Sequence, residues 1–248
     1  MEKILILTGG SKGLGFGIAK AFLDRGYKVI SIARTLHSTF IHEKFIQVQL
    51  DMIQVNFLQQ FKFVLEKEIS SVPEELILIN NAGTLGEVDR IENIPIDDIA
   101  RTFQINTVIP IQLISLFIHS TKNLKIQKTI LTISSGAAQN PVFGWSIYCS
   151  SKAAIDHFTR TVGLEQEEIE NGVKTISIYP GVVDTDMQTQ IRSLKVDAFQ
   201  SVEKFIAFKE NNQLVYPDVV GEEIFQIYSN PNIVSGSILK VNDYRQKQ

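Results

Sequence analysis

At 248 residues, 44% of them hydrophobic and 21% charged, the chain has the composition of a folded globular protein, which excludes disorder, collagen-like repeats and a membrane-embedded body. Its 24 Lys and Arg against 27 Asp and Glu leave a formal charge of −3, with no basic excess to hold a phosphate backbone, so nucleic acid is not an expected partner. Uninterrupted apolar runs such as 4–7 and 76–79 are four residues long, where a membrane span needs about 20, so a membrane is not expected either.

The chain enters an apolar strand by residue 3 without a basic leader, and its single cysteine, Cys149, cannot close an internal disulfide. The cytoplasm is therefore the expected compartment. Short β-branched or leucine-rich runs then alternate with longer amphipathic stretches, the pattern of a parallel sheet wrapped by crossover helices. Strands are predicted over 3–8, 27–33, 45–50, 76–80, 128–134, 173–179 and 237–241, and helices over 14–25, 55–69, 96–121, 147–170 and 217–228. Several strands are almost wholly apolar, as strands covered on both faces must be. The expected fold is α/β: a Rossmann-type, doubly wound parallel sheet of seven strands with helices on both faces. No repeat or composition break divides it, so one domain is expected over 1–248, at about 1.7 times the usual 150-residue prior. The stretch 184–212 is longer than a usual connection and is the candidate substrate lid.

After the first strand comes Thr8-Gly9-Gly10-Ser11-Lys12-Gly13-Leu14-Gly15, and then an amphipathic helix. A strand, a glycine-rich turn and a helix in that order let the backbone approach a pyrophosphate at the helix N-terminus. The turn thus points to a dinucleotide, with Gly9, Ser11, Lys12, Gly13, Leu14 and Gly15 as its contacts. A bare glycine triplet would mean only a tight turn; the flanking elements decide otherwise. The end of the second strand selects the cofactor. It reads Ser31-Ile32-Ala33-Arg34-Thr35, with no acid to hold a ribose hydroxyl pair until Glu43. Arg34 can pair with a 2′-phosphate and Lys12 can add a second charge, so NADP(H) is the expected cofactor.

The segment Tyr148-Cys149-Ser150-Ser151-Lys152 carries the chemistry. Residues four apart share a helix face, so phenol and ammonium can enter one site, where a nearby cation would lower the phenol pKa and make Tyr148 a usable general acid or base. Alone, this spacing is as common on a solvated helix face. Upstream, Ile133-Ser134-Ser135-Gly136 ends the fifth strand at the carboxyl edge, where such sheets bind ligands and a serine can donate to a carbonyl oxygen. A serine there also caps backbone readily.

Thr8-Gly9-xxx-Gly13-x-Gly15, Asn80-Asn81-Ala82-Gly83, Asn106, Ser135, Tyr148-xxx-Lys152 and Pro180-Gly181 together resemble the short-chain dehydrogenase/reductase family in its compact subgroup, in family order and over nearly the whole chain. The stretches 133–149 and 180–188 resemble more narrowly the bacterial sepiapterin reductases, also described as benzil reductases forming (S)-benzoin. The resemblance implies that Ser135 polarises a carbonyl, that Tyr148 protonates its oxygen, that Lys152 lowers the phenol pKa and holds a ribose, and that Asn106 holds a water leading to solvent. It implies further cofactor contacts at Asp51, Asn80, Ala82, Gly83, Pro180, Val183 and Thr185, and a homodimer or homotetramer paired through the helices of the 96 and 147 regions. The expected activity is NADPH-dependent reduction of a small ketone or α-dicarbonyl. A redox-sensing regulator without turnover is the rival reading, against which the intact Ser135, Tyr148 and Lys152 set argues.

Phe143 and Trp145 either line the substrate pocket or pack the loop; as lining, they suit a flat aromatic or conjugated carbonyl. Met187, Phe199, Phe205 and Phe208 could touch substrate, with core packing the safer reading. Cys149 is rotated about 100° from Tyr148 and is read as packing. His37, His42, His119 and His157 show no metal-ligand spacing, and no metal is expected.

Overall fold

The computed structural model describes residues 2–245. Seven strands form one parallel sheet: β1 (Lys3–Thr8), β2 (Lys28–Ala33), β3 (Phe45–Gln49), β4 (Glu75–Asn80), β5 (Gln127–Ile133), β6 (Lys174–Tyr179) and β7 (Ser237–Lys240), in the order β3-β2-β1-β4-β5-β6-β7. The predicted doubly wound sheet is thus found, with every strand within two residues of its expected bounds. Between them lie α1 (Gly13–Leu23), α2 (Phe57–Ile69), α3 (Ile96–Phe103), α4 (Ile109–Thr121), α5 (Ser146–Glu167), α6 (Asp186–Arg192), α7 (Val202–Glu210), α8 (Pro217–Ser229) and α9 (Asn242–Arg245).

Alternation along each strand sends neighbouring side chains into opposite cores. Leu5, Leu7, Ile77, Ile79, Ile176 and Ile178 pack against Ile18 and Phe22 of α1 and Val220 and Ile224 of α8. Ile4, Ile6, Leu76, Leu78 and Ile130 pack on the other face against Phe57 and Phe61 of α2 and Leu113 and Phe117 of α4. Both registers must be apolar, which is why β1 and β4 read as unbroken hydrophobic runs. On the first face α1 and α8 touch through glycines: a Cβ on Gly17 would lie 2.2 Å from the Pro217 carbonyl oxygen, and one on Gly221 would lie 2.3 Å from the Gly17 carbonyl oxygen.

The structure departs from expectation in two stretches. The helix predicted over 96–121 is interrupted at Gln104–Val108 by a wider π turn, a feature common at functional sites. Taken whole, Ile96–Thr121 is long and apolar enough to cross a bilayer by length and composition, yet Ile109, Leu113, Ile114 and Phe117 are buried against the sheet. The stretch 184–212 carries α6 and α7, and Ile191 of α6, Phe199 of the connection and Val202 of α7 bury against Trp145 and Tyr148 in a third apolar cluster.

Candidate active site

The strand order turns back between β1 and β4, so the loops after these strands diverge and leave a crevice at the carboxyl edge. A cavity of about 760 Å³ opens there. Its floor is the glycine turn, fastened to the loop after β4: Thr8 Oγ1 accepts from the amides of Asn81 (3.0 Å) and Ala82 (3.1 Å), while Asn81 Nδ2 donates to the carbonyl oxygens of Thr8 (3.0 Å) and Gly9 (3.2 Å). A Cβ on Gly15 would fall 2.1 Å from the Gly9 carbonyl oxygen and 2.5 Å from Asn81 Nδ2, so only glycine lets α1 begin that close to the turn. Gly9 and Gly13 take positive φ, +71° and +53°. The turn is therefore a cradle shaped for a group that needs bare backbone, and it fits the pyrophosphate of a dinucleotide.

Of the predicted contacts, Gly9, Ser11, Lys12, Gly13, Leu14, Gly15, Arg34, Asp51, Ala82, Gly83, Pro180, Val183 and Thr185 all line this cavity. Asn80 does not; its side chain is buried in β4 with neither amide atom paired, and its neighbour Asn81 lines the cavity instead. The doubled asparagine carried that signal, but the finished fold was needed to tell which side chain turns to the glycine turn at the cavity floor. Arg34 is exposed at the end of β2 without an acidic partner among the described residues, and Ser11 Oγ lies 3.4 Å from Thr35 Oγ1, joining the turn to β2. Lys12 is engaged otherwise: its Nζ lies 2.5 Å from Asp186 Oδ2 at the start of α6.

Ser135, Tyr148 and Lys152 converge at the other end of the same cavity. Ser135 caps the single turn Gly136–Ala138, its Oγ accepting from Ala137 N at 3.2 Å, and it acts on the Tyr148 phenol in the direction that lowers its pKa. One helical turn along α5, Lys152 Nζ lies 5.8 Å from the centre of the Tyr148 ring and donates to the Ile133 carbonyl oxygen at 2.9 Å. Asn106, on the π turn, does not line the cavity. Its amide donates to the Thr84 carbonyl oxygen (2.8 Å) and Ser151 Oγ (3.1 Å) and its Oδ1 accepts from Thr84 N (2.9 Å), pinning the loop after β4 to α5.

The electrostatics correct one expectation. The net shift of the Tyr148 phenol is upward: burial pushes it to about 12, only partly opposed by Ser135. Burial likewise pulls the Lys152 ammonium down to about 8, with Asp156 pulling it back up. Helix spacing does place phenol and ammonium together, but it is silent on how dry the site is, and desolvation is the larger effect. At neutral pH the pair is a protonated phenol beside a charged ammonium.

Beyond the phenol the wall is aromatic. Trp145 stacks on Phe199 with ring centres 4.9 Å apart and meets Tyr148 and Phe205 edge-on at 5.4 and 5.6 Å. Trp145, Met187, Phe205 and Phe208 border the cavity, together with Gln188, Ile191 and Lys204, which the sequence reading did not single out. Phe199 is fully buried behind Trp145. Phe143 stands outside the cavity under the Arg90 guanidinium, 5.3 Å from its ring centre, and Cys149 turns its Sγ towards the Asn140 carbonyl oxygen at 3.9 Å. The sequence leaves Met187, Phe205 and Phe208 open between lining and core packing, because α6 and α7 carry both core and cavity faces within a few residues.

The chain matches the short chain dehydrogenase family over residues 3–195. It is 39% identical over 226 residues to a benzil reductase ((S)-benzoin forming) of Bacillus subtilis (strain 168), an alignment covering 91% of this chain and 93% of that protein. It is also 35% identical over 131 residues to a sepiapterin reductase of Rattus norvegicus, covering 50% of this chain and 47% of that one. A short-chain dehydrogenase/reductase structure from Saccharomyces cerevisiae superposes with a TM-score of 0.83 at 28% identity, covering 97% of this chain and 96% of the other. With the glycine cradle, the Ser-Tyr-Lys convergence and a family match over most of its length, the chain belongs to the short-chain dehydrogenase family, oxidoreductases that act on carbonyl and alcohol groups.

Proposed function

We propose that the protein is an NADPH-dependent carbonyl reductase of small ketones or α-dicarbonyls, benzil-like or sepiapterin-like, with Tyr148 as the general acid. The observation that carries this reading is that Ser135, Tyr148 and Lys152 border the same cavity as the glycine cradle, so that a dinucleotide held by the cradle would share one enclosure with the proton donor. Gly9, Ser11, Gly13 and Leu14 would hold the pyrophosphate, Arg34 and Lys12 the 2′-phosphate, Asp51 the adenine, and Lys152, Pro180, Val183 and Thr185 the nicotinamide end. When bound, the nicotinamide supplies the reducing equivalent.

The chain's own work is positional and protic. Ser135 Oγ can donate to the substrate oxygen and, with the phenol, fixes it beside Tyr148. As negative charge grows on that oxygen it becomes more basic than a phenolate, so a phenol held protonated near pKa 12 transfers its proton downhill. The Lys152 charge stabilises the phenolate left behind. Trp145, Phe205 and Phe208 offer flat apolar surface to an aryl or conjugated diketone and exclude water. The segment 184–212 acts as the lid, and the lone cysteine supports a cytoplasmic setting. Exposed Ile96 and Leu164 support pairing of copies through α3 and α5, testable by sedimentation.

The test is oxidation of NADPH across a carbonyl panel that includes benzil and sepiapterin, with chiral analysis of the alcohol. Tyr148→Phe is expected to cut turnover by about 10²–10⁴-fold with cofactor binding intact. Unchanged turnover in that variant would refute the mechanism.

A further inference from the structure

Lys152 is 6% exposed, and its one hydrogen-bond acceptor is a neutral carbonyl, that of Ile133. No carboxylate stands within ion-pair distance of it among the described residues. A dry ammonium without a counter-charge loses its proton readily. Asp156 lies four residues further along α5, on the same helix face, and is 4% exposed. Its Oδ1 accepts from Ser177 Oγ at 2.6 Å and its Oδ2 accepts from the Tyr179 hydroxyl. Two hydroxyl donors on two oxygens is the arrangement that stabilises an ionised carboxylate in a buried place.

The register ties these groups together. Ser177 and Tyr179 flank Ile178 on β6, and Ile178 pairs with Ile133 on β5, the residue whose carbonyl anchors Lys152. Carboxylate and ammonium are therefore fastened to adjacent positions of neighbouring strands, in one water-poor layer under α5. We propose that Asp156 is the positioning residue for Lys152: its buried carboxylate, held by Ser177 and Tyr179, supplies the field that keeps the site lysine charged at neutral pH. The proposal rests on the Ser-Tyr-Lys reading above.

The direction of the electrostatics agrees, since burial drives Lys152 down to about 8 while Asp156 opposes it. The other ionisable groups about this layer are Tyr148, Cys149 and Arg160 on α5 itself, Tyr179 on β6, Arg101 on α3 at the cavity rim, and Lys240 on β7, paired in register with Tyr179 and exposed. None of these is a carboxylic acid, so Asp156 is the acidic side chain among them. For two charges about 6–12 Å apart at an effective dielectric of about 20, loss of the carboxylate lowers the ammonium by about one to two pH units.

The experiment follows NADPH binding by fluorescence, and turnover, from pH 5.5 to 9.5 in the full chain. In the wild type the alkaline limb is expected near pH 8. In Asp156→Asn it is expected one to two units lower, so that affinity falls about tenfold at pH 7.5 and stays near wild type at pH 6, while Asp156→Glu restores the limb. A loss equal at every pH, with the limb unmoved, overturns the proposal, because a merely structural aspartate predicts that. Should Asp156→Asn fail to fold, Tyr179→Phe strips one donor from the carboxylate, favours its neutral form and moves the limb the same way by a smaller step; an unmoved limb there overturns the proposal too. Turnover surviving in Tyr148→Phe refutes the underlying reading alone, since the binding limb is read without catalysis.

Discussion

Replacing Gly17 with Ala sets two effects of known size against each other. In a helix interior alanine is favoured over glycine by about 1 kcal/mol, so propensity alone predicts a more stable protein. The packing says otherwise. The new methyl would lie 2.2 Å from the Pro217 carbonyl oxygen and 2.5 Å from its carbon, both backbone atoms of α8 that no rotamer change can move. Reaching ordinary contact near 3.4 Å requires α1 and α8 to part by about 1 Å, opening the core that Phe22, Val220 and Ile224 close; overpacking of this kind costs about 1–3 kcal/mol and sometimes more. Because backbone meets backbone, the upper end applies, and the net expectation is a loss of about 2 kcal/mol, or a midpoint roughly 4–8 °C lower for a chain of this size. Thermal and urea unfolding followed by circular dichroism measure it, with Gly136→Ala as the comparison, since a Cβ there meets nothing within 4 Å. A Gly17→Ala protein as stable as the parent would refute the close-approach argument. The same variant should weaken cofactor binding, because α1 begins at the glycine cradle.

Three other outcomes are open to direct measurement. Gly15→Ala drives a methyl to 2.1 Å from the Gly9 carbonyl oxygen and should abolish NADPH binding in a fluorescence titration while the fold survives by circular dichroism; retained affinity would mean the turn is not the pyrophosphate cradle. Arg34→Asp should weaken NADPH by tenfold or more and NADH far less, and equal losses would overturn the assignment to a 2′-phosphate. Trp145→Ala should raise KM for aryl diketones by about tenfold, with a smaller effect on aliphatic ketones, as steady-state kinetics on paired substrates will report.

The sheet was legible because its strands are buried on both faces: the runs at Ile4–Leu7 and Leu76–Ile79 serve two cores at once and cannot be mistaken for amphipathic helices. Tyr148 and Lys152 were legible because helix geometry fixes residues four apart. Position therefore came through, and protonation did not, since desolvation depends on what covers α5 from β6, α6 and α7. Asp156 shows the same limit: an acid on a helix reads as solvated surface until Ser177 and Tyr179 are placed against it. The helices of 184–212 were hidden because they are short and fold onto Trp145 rather than on the sheet. Asn81 was hidden behind Asn80, since only the finished fold turns one amide inward and the other to the glycine turn.

If Lys12 helps to hold the 2′-phosphate as proposed, its ion pair with Asp186 would couple cofactor affinity to salt. Both side chains are largely exposed, 70% and 80%, so their attraction fades with ionic strength on the scale of a Debye length of about 8 Å in physiological salt. A phosphate arriving at Lys12 must displace or share with a carboxylate already there. Salt weakens both anions' hold on the lysine, and the two losses partly cancel. Log affinity for NADPH plotted against log salt should therefore be shallower than two free cations would give, and steeper in Asp186→Asn. The glycine turn and α6, 174 positions apart in sequence, would then behave as two ends of one electrostatic buffer across the cofactor mouth.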